Sequence, residues 1–468
     1  MNSLWTGLYD RAPVSFKRVL MRTYATYLHT LREGQPMELA VAEIERVDRL
    51  ERDAAAAHQL ARINDLLAWA DQHVPWYRGR VLVGSGPGGR LASLAEIEGI
   101  PVLTKHEVRE HGVELTGPGV RTYHGHTSGT TGTPLQLRYD RPQLAWNRAA
   151  EKVVRRRAGL APDARVAVIW GRAVVPRTTS HPPYWIANDA DQELWLSAFH
   201  VSRATAPLYF DAMRRFGAAA LETYPSLAYL LARLARESRT RIRLQRVLTS
   251  AETLFPFQRE EIQEVFGAEV FDYYGAAERV AFAVECGRHE GLHLLEAFGY
   301  VEPTGSDSGP TDALRVTGLT NRGMPLIRYQ VTDVTRVLDE PCGCGLTSRR
   351  LAPVETKQED LVVTPDGRFL SPSVLTHPFK PLVGVLRSQI VQESLEELVV
   401  RIEASSGYDT AQDHQILAAL QERMGPGVRI RIVHEPVLGT EASGKFRWVV
   451  SRVQGMHRIV DEAAARRS

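Results

Sequence analysis

One short stretch of this chain is built from groups that can hold negative charge without carrying any. Thr127-Ser128-Gly129-Thr130-Thr131-Gly132-Thr133-Pro134 packs hydroxyls and glycines between two short β-patterned runs, Val120–Tyr123 and Leu135–Tyr139. Glycine tolerates positive φ and close backbone approach, so successive N–H groups can line one concavity. Hydroxyls add donors with no competing charge, which suits a polyphosphate. A polar surface turn has the same composition. The stretch lacks Gly-Lys-Ser/Thr and opens no helix, which excludes a Walker-type loop.

Further chemistry lies downstream. Tyr273-Tyr274-Gly275-Ala276-Ala277-Glu278 follows a β-patterned run, so Glu278 is expected at the carboxyl end of a parallel sheet. A carboxylate there can ligate Mg²⁺ or simply favour a helix N-terminus. Asp333 closes the run Pro325-Leu326-Ile327-Arg328-Tyr329-Gln330-Val331-Thr332-Asp333 and can accept two ribose hydroxyls, or cap a turn. Ser250-Ala251-Glu252 ends a third strand with small side chains that could wall a nucleobase. Lys445, within Ser443-Gly444-Lys445-Phe446-Arg447, is a mobile point charge on a glycine-hinged loop, able to meet a phosphate oxygen and a carboxylate together.

All three cysteines also fall into one context. Cys286, His293, Cys342 and Cys344 make a Cys₃His set suited to a closed tetrahedral Zn²⁺ site. His289 is a rival fourth ligand, and three unrelated buried thiols are the plainer alternative.

Composition narrows the class. The chain has 468 residues, 57 Lys plus Arg against 55 acids, and a formal net charge of +2. That balance argues against nucleic acid as the main partner. No run approaches the length of an apolar membrane span. Residues 1–30 mix charges through their apolar positions and lack a signal-peptide core, so a cytoplasmic protein with reduced cysteines is expected.

The elements that must position these groups are α/β. Residues 38–73 read as helix, stopped at Val74-Pro75. A helix opens near Thr104, with Glu107 placed for a capping box. Residues 142–158 are helical and precede the apolar strand Arg165–Trp170. Two helices are expected over 206–237 around Tyr224-Pro225. Strands at 246–249 and 269–273 flank a helix at 256–266, a βαβ unit and hence a parallel sheet. From about residue 358 the pattern becomes a compact βαββαβ-like lobe. The organisation expected is an N-terminal domain over 1–358, its first 80 residues helical, and a mobile α+β domain over 359–468.

Taken in order, the SGTTG loop, SAE, YYGAAE, RYQVTD and GK segments resemble the adenylate-forming superfamily, in its phenylacetate–coenzyme A ligase and CapK-like branch. Val74-Pro75-Trp76-Tyr77-Arg78, Ile100-Pro101-Val102-Leu103-Thr104-Lys105 and Pro325–Tyr329 resemble that branch's VPxYR, IPxLTK and PLIRY segments. The resemblance spans nearly the whole chain. It implies a large adenylation domain of mixed sheets and helices with a small lid domain. It also implies ATP-dependent activation of a small carboxylic acid to an acyl-adenylate, then transfer to coenzyme A. Transfer to an amine or to a carrier-protein thiol is the alternative.

On this resemblance Thr127, Ser128, Gly129, Thr130, Thr131 and Gly132 would hold the phosphates of ATP, and Glu278 the Mg²⁺. Ala251, Glu252, Asp272, Tyr273, Tyr274 and Gly275 would line the adenine site. Asp333 would hold the ribose, with Arg328 and Lys357 also assigned to the nucleotide. Lys445 would bridge the substrate carboxylate and the α-phosphate. The branch often carries a similar Cys/His set, which favours structural zinc here. A homodimer is a further expectation. Three departures stand out: Lys357 replaces an arginine, Glu359 an aspartate, and Thr133 the lysine of many relatives. His126, His181, Tyr184, Trp185 and Phe199 are candidate acid-pocket residues, for an aromatic or otherwise planar acid.

Overall fold

The computed structural model describes residues 14–126, 135–172, 174–176, 179–303, 313–338, 340–354, 362–366, 368–370, 372–379, 382, 385–404, 408–436, 438 and 447–453. Its centre is a ten-stranded mixed sheet. From one edge to the other the strands are Val337–Leu338, Arg350–Leu351, Leu292–Leu294, Phe282–Glu285, Glu269–Gly275, Arg246–Ser250, Ala220–Thr223, Val166–Ile169, Glu193–Leu196 and Trp185–Asn188. The run from Glu269–Gly275 to Glu193–Leu196 is parallel, and antiparallel strands complete both sides.

The parallel strands are apolar along their length because helices cover both faces. Val166–Ile169 is buried at every position. The helix Pro225–Glu237 starts with proline in its first turn and presents Leu227, Leu230, Leu231 and Leu234 to the sheet. Burying each such side chain contributes about 1.5–3 kcal/mol. The helix Pro256–Phe266 ends at Gly267, whose φ of 60° provides the left-handed C-terminal cap.

Most expected elements are present, and the helix Pro256–Phe266 has the expected bounds. The stretch 206–237 departs from expectation. Between the helices Ala206–Phe216 and Pro225–Glu237 lies a fully buried strand, Ala220–Thr223. Four residues are too short for a period to register, and the alanines before it read as helix. The strands Trp185–Asn188, Glu193–Leu196 and Val449–Ser451 were equally hidden by brevity.

Two smaller sheets matter for the site. The hairpin Thr122–His126/Gln136–Asp140 flanks the Ser/Thr/Gly stretch, of which 127–134 lie outside the described residues. A three-stranded sheet joins Gly299–Val301, Ala313–Gly318 and Tyr329–Val334. Leu103 extends it by a parallel bridge to Tyr329, the Leu103 amide donating to the Arg328 carbonyl at 3.0 Å. The next residue, Thr104, caps the helix Lys105–Glu110 through the expected capping box with Glu107.

The C-terminal part is α+β. Its sheet runs Arg429–His434, Glu397–Ala404, Val385–Ser394, Val449–Ser451, with the helix Ala411–Met424 packed on it. The hairpin Val362–Val363/Phe369–Leu370 is held to this sheet by Gln392, whose side chain bonds both the amide and the carbonyl of Val363. Arg368 of the hairpin donates to the Phe199 carbonyl at 3.0 Å, and the Arg423 guanidinium lies over the buried Phe199 ring. Residues 355–361, including Lys357 and Glu359, lie outside the described residues, as does Lys445.

Candidate functional site

The carboxyl ends of the parallel strands gather most of the expected groups. Ser250 closes its strand by donating to the Tyr273 carbonyl at 2.6 Å. Ala251 follows with φ of 69°, a left-handed conformation that an L residue adopts only at some cost. Such outliers concentrate where the backbone is shaped for a ligand. Glu252 turns to the neighbouring helix and accepts the Ser226 amide at 3.2 Å, in the first turn where a carboxylate is favoured.

Successive residues of Glu269–Gly275 point to opposite faces. Tyr273 turns into the core: its hydroxyl donates to Glu222 at 2.9 Å and its ring stacks on Phe282. Asp272 and Tyr274 take the other face. Asp272 accepts the Thr249 hydroxyl at 2.7 Å, and burial, reinforced by Glu285, pushes its carboxyl up to about 8.

Two tyrosines and two carboxylates then form a crossed clamp. Tyr274 donates to Asp333 at 2.8 Å, and Tyr329 donates to Glu278 at 2.9 Å. Asp333 and Tyr329 share the strand Tyr329–Val334, whereas Tyr274 and Glu278 flank the turn that ends Glu269–Gly275. The clamp therefore staples the three-stranded sheet to the central one, with both carboxylates half-buried. Burial raises the Tyr274 and Tyr329 hydroxyls well above their ordinary value, and the adjacent carboxylates add to this. Both stay protonated and keep donating.

Lys105 completes the cluster. Burial lowers its pKa, and Glu278 and Asp333 counter that shift. In the sequence Lys105 only closes the Ile100–Lys105 segment and has no role of its own. One signal was available: lysine is rare here, six of 57 basic residues.

Arg328 explains how Lys105 is held. Its guanidinium is buried, pairs with Glu302 at 3.1 Å, and donates to the carbonyls of Glu98 and Ile100 at 2.5 and 2.7 Å. It braces the segment leading to Lys105 and does not meet the carboxylate clamp, where the expectation put it at the nucleotide. The hairpin that flanks residues 127–134 is fastened to the same turn. Tyr139 donates to the Ala277 carbonyl at 2.6 Å, and the Arg279 guanidinium sits 4.1 Å from its ring centre. Of the candidate acid-pocket residues, Tyr184 and Phe199 are core, Tyr184 stacking on His200 at 4.6 Å.

The Cys/His set converges at the other side of the sheet. The ligand atoms of Cys286, His293, Cys342 and Cys344 all lie within 4.8 Å of one another. The Cys286 and Cys342 sulfurs are 3.7 Å apart, and Cys344 Sγ is 3.3 Å from His293 Nε2. Tetrahedral zinc with Zn–S near 2.3 Å implies a sulfur–sulfur edge of about 3.8 Å, so the donor spacing fits this metal. His293 Nδ1 lies 3.2 Å from the Ser348 carbonyl, which would fix Nε2 as the ligand atom. Burial lowers the His293 pKa to about 4, leaving the imidazole neutral and competent to ligate. His289 is committed elsewhere, Nδ1 to Glu285 at 2.9 Å and Nε2 to Glu269 at 3.0 Å.

Several known proteins are similar to this chain. A family model described as the CapK C-terminal domain matches residues 362–452. Protein CapK of Staphylococcus aureus is 20% identical over 372 residues, covering 78% of this chain and 82% of its own. A phenylacetate–coenzyme A ligase of Thermus thermophilus is 26% identical over 338 residues, covering 68% and 73%. Among solved structures, a 2-hydroxyisobutyryl-CoA ligase with 2-HIB-AMP and CoA superposes with a TM-score of 0.55 at 19% identity, covering 90% of this chain and 94% of its own. No described helix is long and apolar enough to cross a membrane.

Proposed function

We propose that the chain is an adenylate-forming ligase of the branch of CapK and the phenylacetate–coenzyme A ligases, to which it is similar, and that it activates a carboxylic acid with ATP and passes the acyl group to coenzyme A. The observation that carries this reading is the crossed clamp, two half-buried carboxylates with tyrosine donors and one lysine at the carboxyl end of a parallel sheet. In the first half-reaction an oxygen of the acid attacks the α-phosphorus, the bond to pyrophosphate breaks, and the acyl-adenylate forms. In the second, the thiolate attacks the acyl carbon and AMP leaves.

Asp333 would accept the ribose hydroxyls and Tyr274 would hold that carboxylate in place. Glu278, steadied by Tyr329, would hold Mg²⁺, which supplies charge neutralisation at the phosphates. Lys105, half-buried beside both carboxylates, would meet phosphate oxygens with a charge that burial has left less solvated. Residues 127–132 would hold the β- and γ-phosphates, and Lys445 of a mobile C-terminal lobe would meet the α-phosphate. The lobe boundary near residue 358 belongs to the same proposal, as does structural Zn²⁺ at Cys286, His293, Cys342 and Cys344. Asp272 and Ala251 would line the adenine. Tyr273 would support that wall from behind through Glu222.

The match of residues 362–452 to the CapK C-terminal domain favours a second reading of the acceptor. That lobe would meet the second substrate in either case, so an amine or a carrier-protein thiol is the alternative to coenzyme A. The test is ATP–pyrophosphate exchange across a panel of acids, followed by the active acid with coenzyme A, amines and carrier thiols. Exchange with at least one acid and a thioester product are expected. The absence of exchange with every acid defeats the adenylation reading, and amide formation alone defeats the coenzyme A assignment.

A further inference from the structure

A cavity of about 690 Å³ opens at the end of the sheet opposite the carboxylate clamp. Its walls are the last turns of the helices Pro225–Glu237 and Pro256–Phe266 and the segment between residue 238 and the strand Arg246–Ser250, which turns at Arg239. That segment alternates. Ile242 and Leu244 are buried in the core, and Arg239, Arg241 and Arg243 face solvent. With Arg236, four arginines line one cavity.

The charge there is not cancelled locally. Glu264, the acidic side chain of the lining, is 3.0 Å from Arg236, which also holds Glu261 at 2.9 Å. Among the described residues no ion pair or side-chain hydrogen bond engages the guanidinium of Arg239, Arg241 or Arg243. Two helix C-termini face the cavity, each worth roughly half a negative charge. Three unmatched arginines less that partial charge leave about +2, so helix-end stabilisation accounts for only part of the cluster. The volume lies within the range of small-molecule sites, roughly 300–1,000 Å³. Planar guanidiniums on neighbouring walls match the bidentate geometry of phosphate oxygens.

We propose that this cavity is a second anion site, separate from the adenylating centre, which takes a small molecule bearing several phosphate charges. Strand Arg246–Ser250 separates it from Ala251; at about 3.3 Å per residue the two sites are roughly 15 Å apart. A triphosphate bound at one cannot reach the other.

The test titrates the full-length protein with inorganic tripolyphosphate at 0.15 M salt, by calorimetry. The same titration follows for R239Q/R241Q/R243Q and, as a control on the other site, for E278Q. The three arginines are exposed and make no ion pair, so the triple variant is expected to melt with the wild type. Tripolyphosphate is expected to bind the triple variant at least tenfold more weakly and E278Q within twofold of the wild type. Unchanged affinity in the triple variant, or no wild-type binding at this salt, overturns the proposal. Equal loss in E278Q shows the phosphate sitting at the clamp and overturns it as well. Tighter binding of a decaglutamate peptide than of tripolyphosphate overturns the small-molecule assignment in favour of an acidic protein surface.

Discussion

The molecule holds two carboxylate clusters on opposite sides of one strand, and they are finished differently. Tyr273 points to the first, where Glu222 and Glu193 are clasped by Arg155 at 2.8 and 2.7 Å and Glu193 also by Arg148 at 3.2 Å. Burial opposes these arginine charges, the glutamates outweigh it, and the pKa values of Arg148 and Arg155 rise. Glu193 correspondingly falls well below the usual carboxylate range. Tyr274 points to the second cluster, where Glu278 and Asp333 receive neutral hydroxyls, with Lys105 as the nearby cation. Charges that only hold the fold are matched by fixed arginines. On the proposed function, the carboxylates that would meet a ligand are steadied by neutral donors that orient a carboxylate without neutralising it.

The comparison breaks first, and by the largest margin, at the clamp. Glu278→Gln is expected to lower ATP–pyrophosphate exchange by about 10²–10³-fold, while the melting temperature stays close to wild type. A variant that melts early yet exchanges normally would reverse the two assignments. Arg155→Met attacks the other cluster. It leaves two glutamates buried with one arginine lost, a cost of about 3–5 kcal/mol. Denaturant unfolding should show that loss, and exchange per folded molecule should change less than twofold.

Between these extremes stands the Cys/His knot, which ties Cys286 and the strand Leu292–Leu294 to the Cys342–Cys344 turn. Metal analysis is expected to find zinc, and Cys342→Ser or prolonged chelation to lower the melting temperature by several degrees with smaller effect on exchange. No zinc, or unchanged stability in the variant, would leave three buried thiols as the correct description.

Legibility in the sequence followed the same division. Long periodic elements and capping signals were readable, as with the helix Pro256–Phe266 and the Thr104–Glu107 box. Glu278 and Asp333 were readable as strand-end carboxylates. Their tyrosine donors were not, because Tyr274 and Asp333 are joined only when two sheets meet, across 59 residues. Nor does the sequence reveal which of two adjacent tyrosines faces the core; that depends on strand register. Arg328 has the composition of a ligand-binding residue, but Glu302 and two carbonyls engage it, contacts that local pattern does not encode. Short buried strands such as Ala220–Thr223 carry too few residues to declare a period.

Asp272 is the intermediate case and gives the smallest, sharpest test. It sits on the face of Tyr274, has a neutral hydroxyl donor in Thr249, and has the second carboxylate Glu285 close enough to accept its backbone amide at 2.9 Å. Glu285 is itself paired with Arg259 at 2.6 Å and His289 at 2.9 Å, and Asp272 keeps its proton. With burial first and Glu285 second, the Asp272 carboxyl is pushed up to about 8. The unfolded chain releases this proton near 4. Between about 4 and 8 the native state therefore binds more protons than the unfolded state, and stability falls as pH rises through that window. Below it the contribution is fully present. Asp272→Asn removes the titration, so the difference in unfolding free energy between wild type and variant should shift against the wild type as pH climbs from 4 to 8 and level off above. A flat difference would mean that Asp272 ionises like an exposed carboxylate, and that neutral donors alone keep a strand-end carboxylate charged.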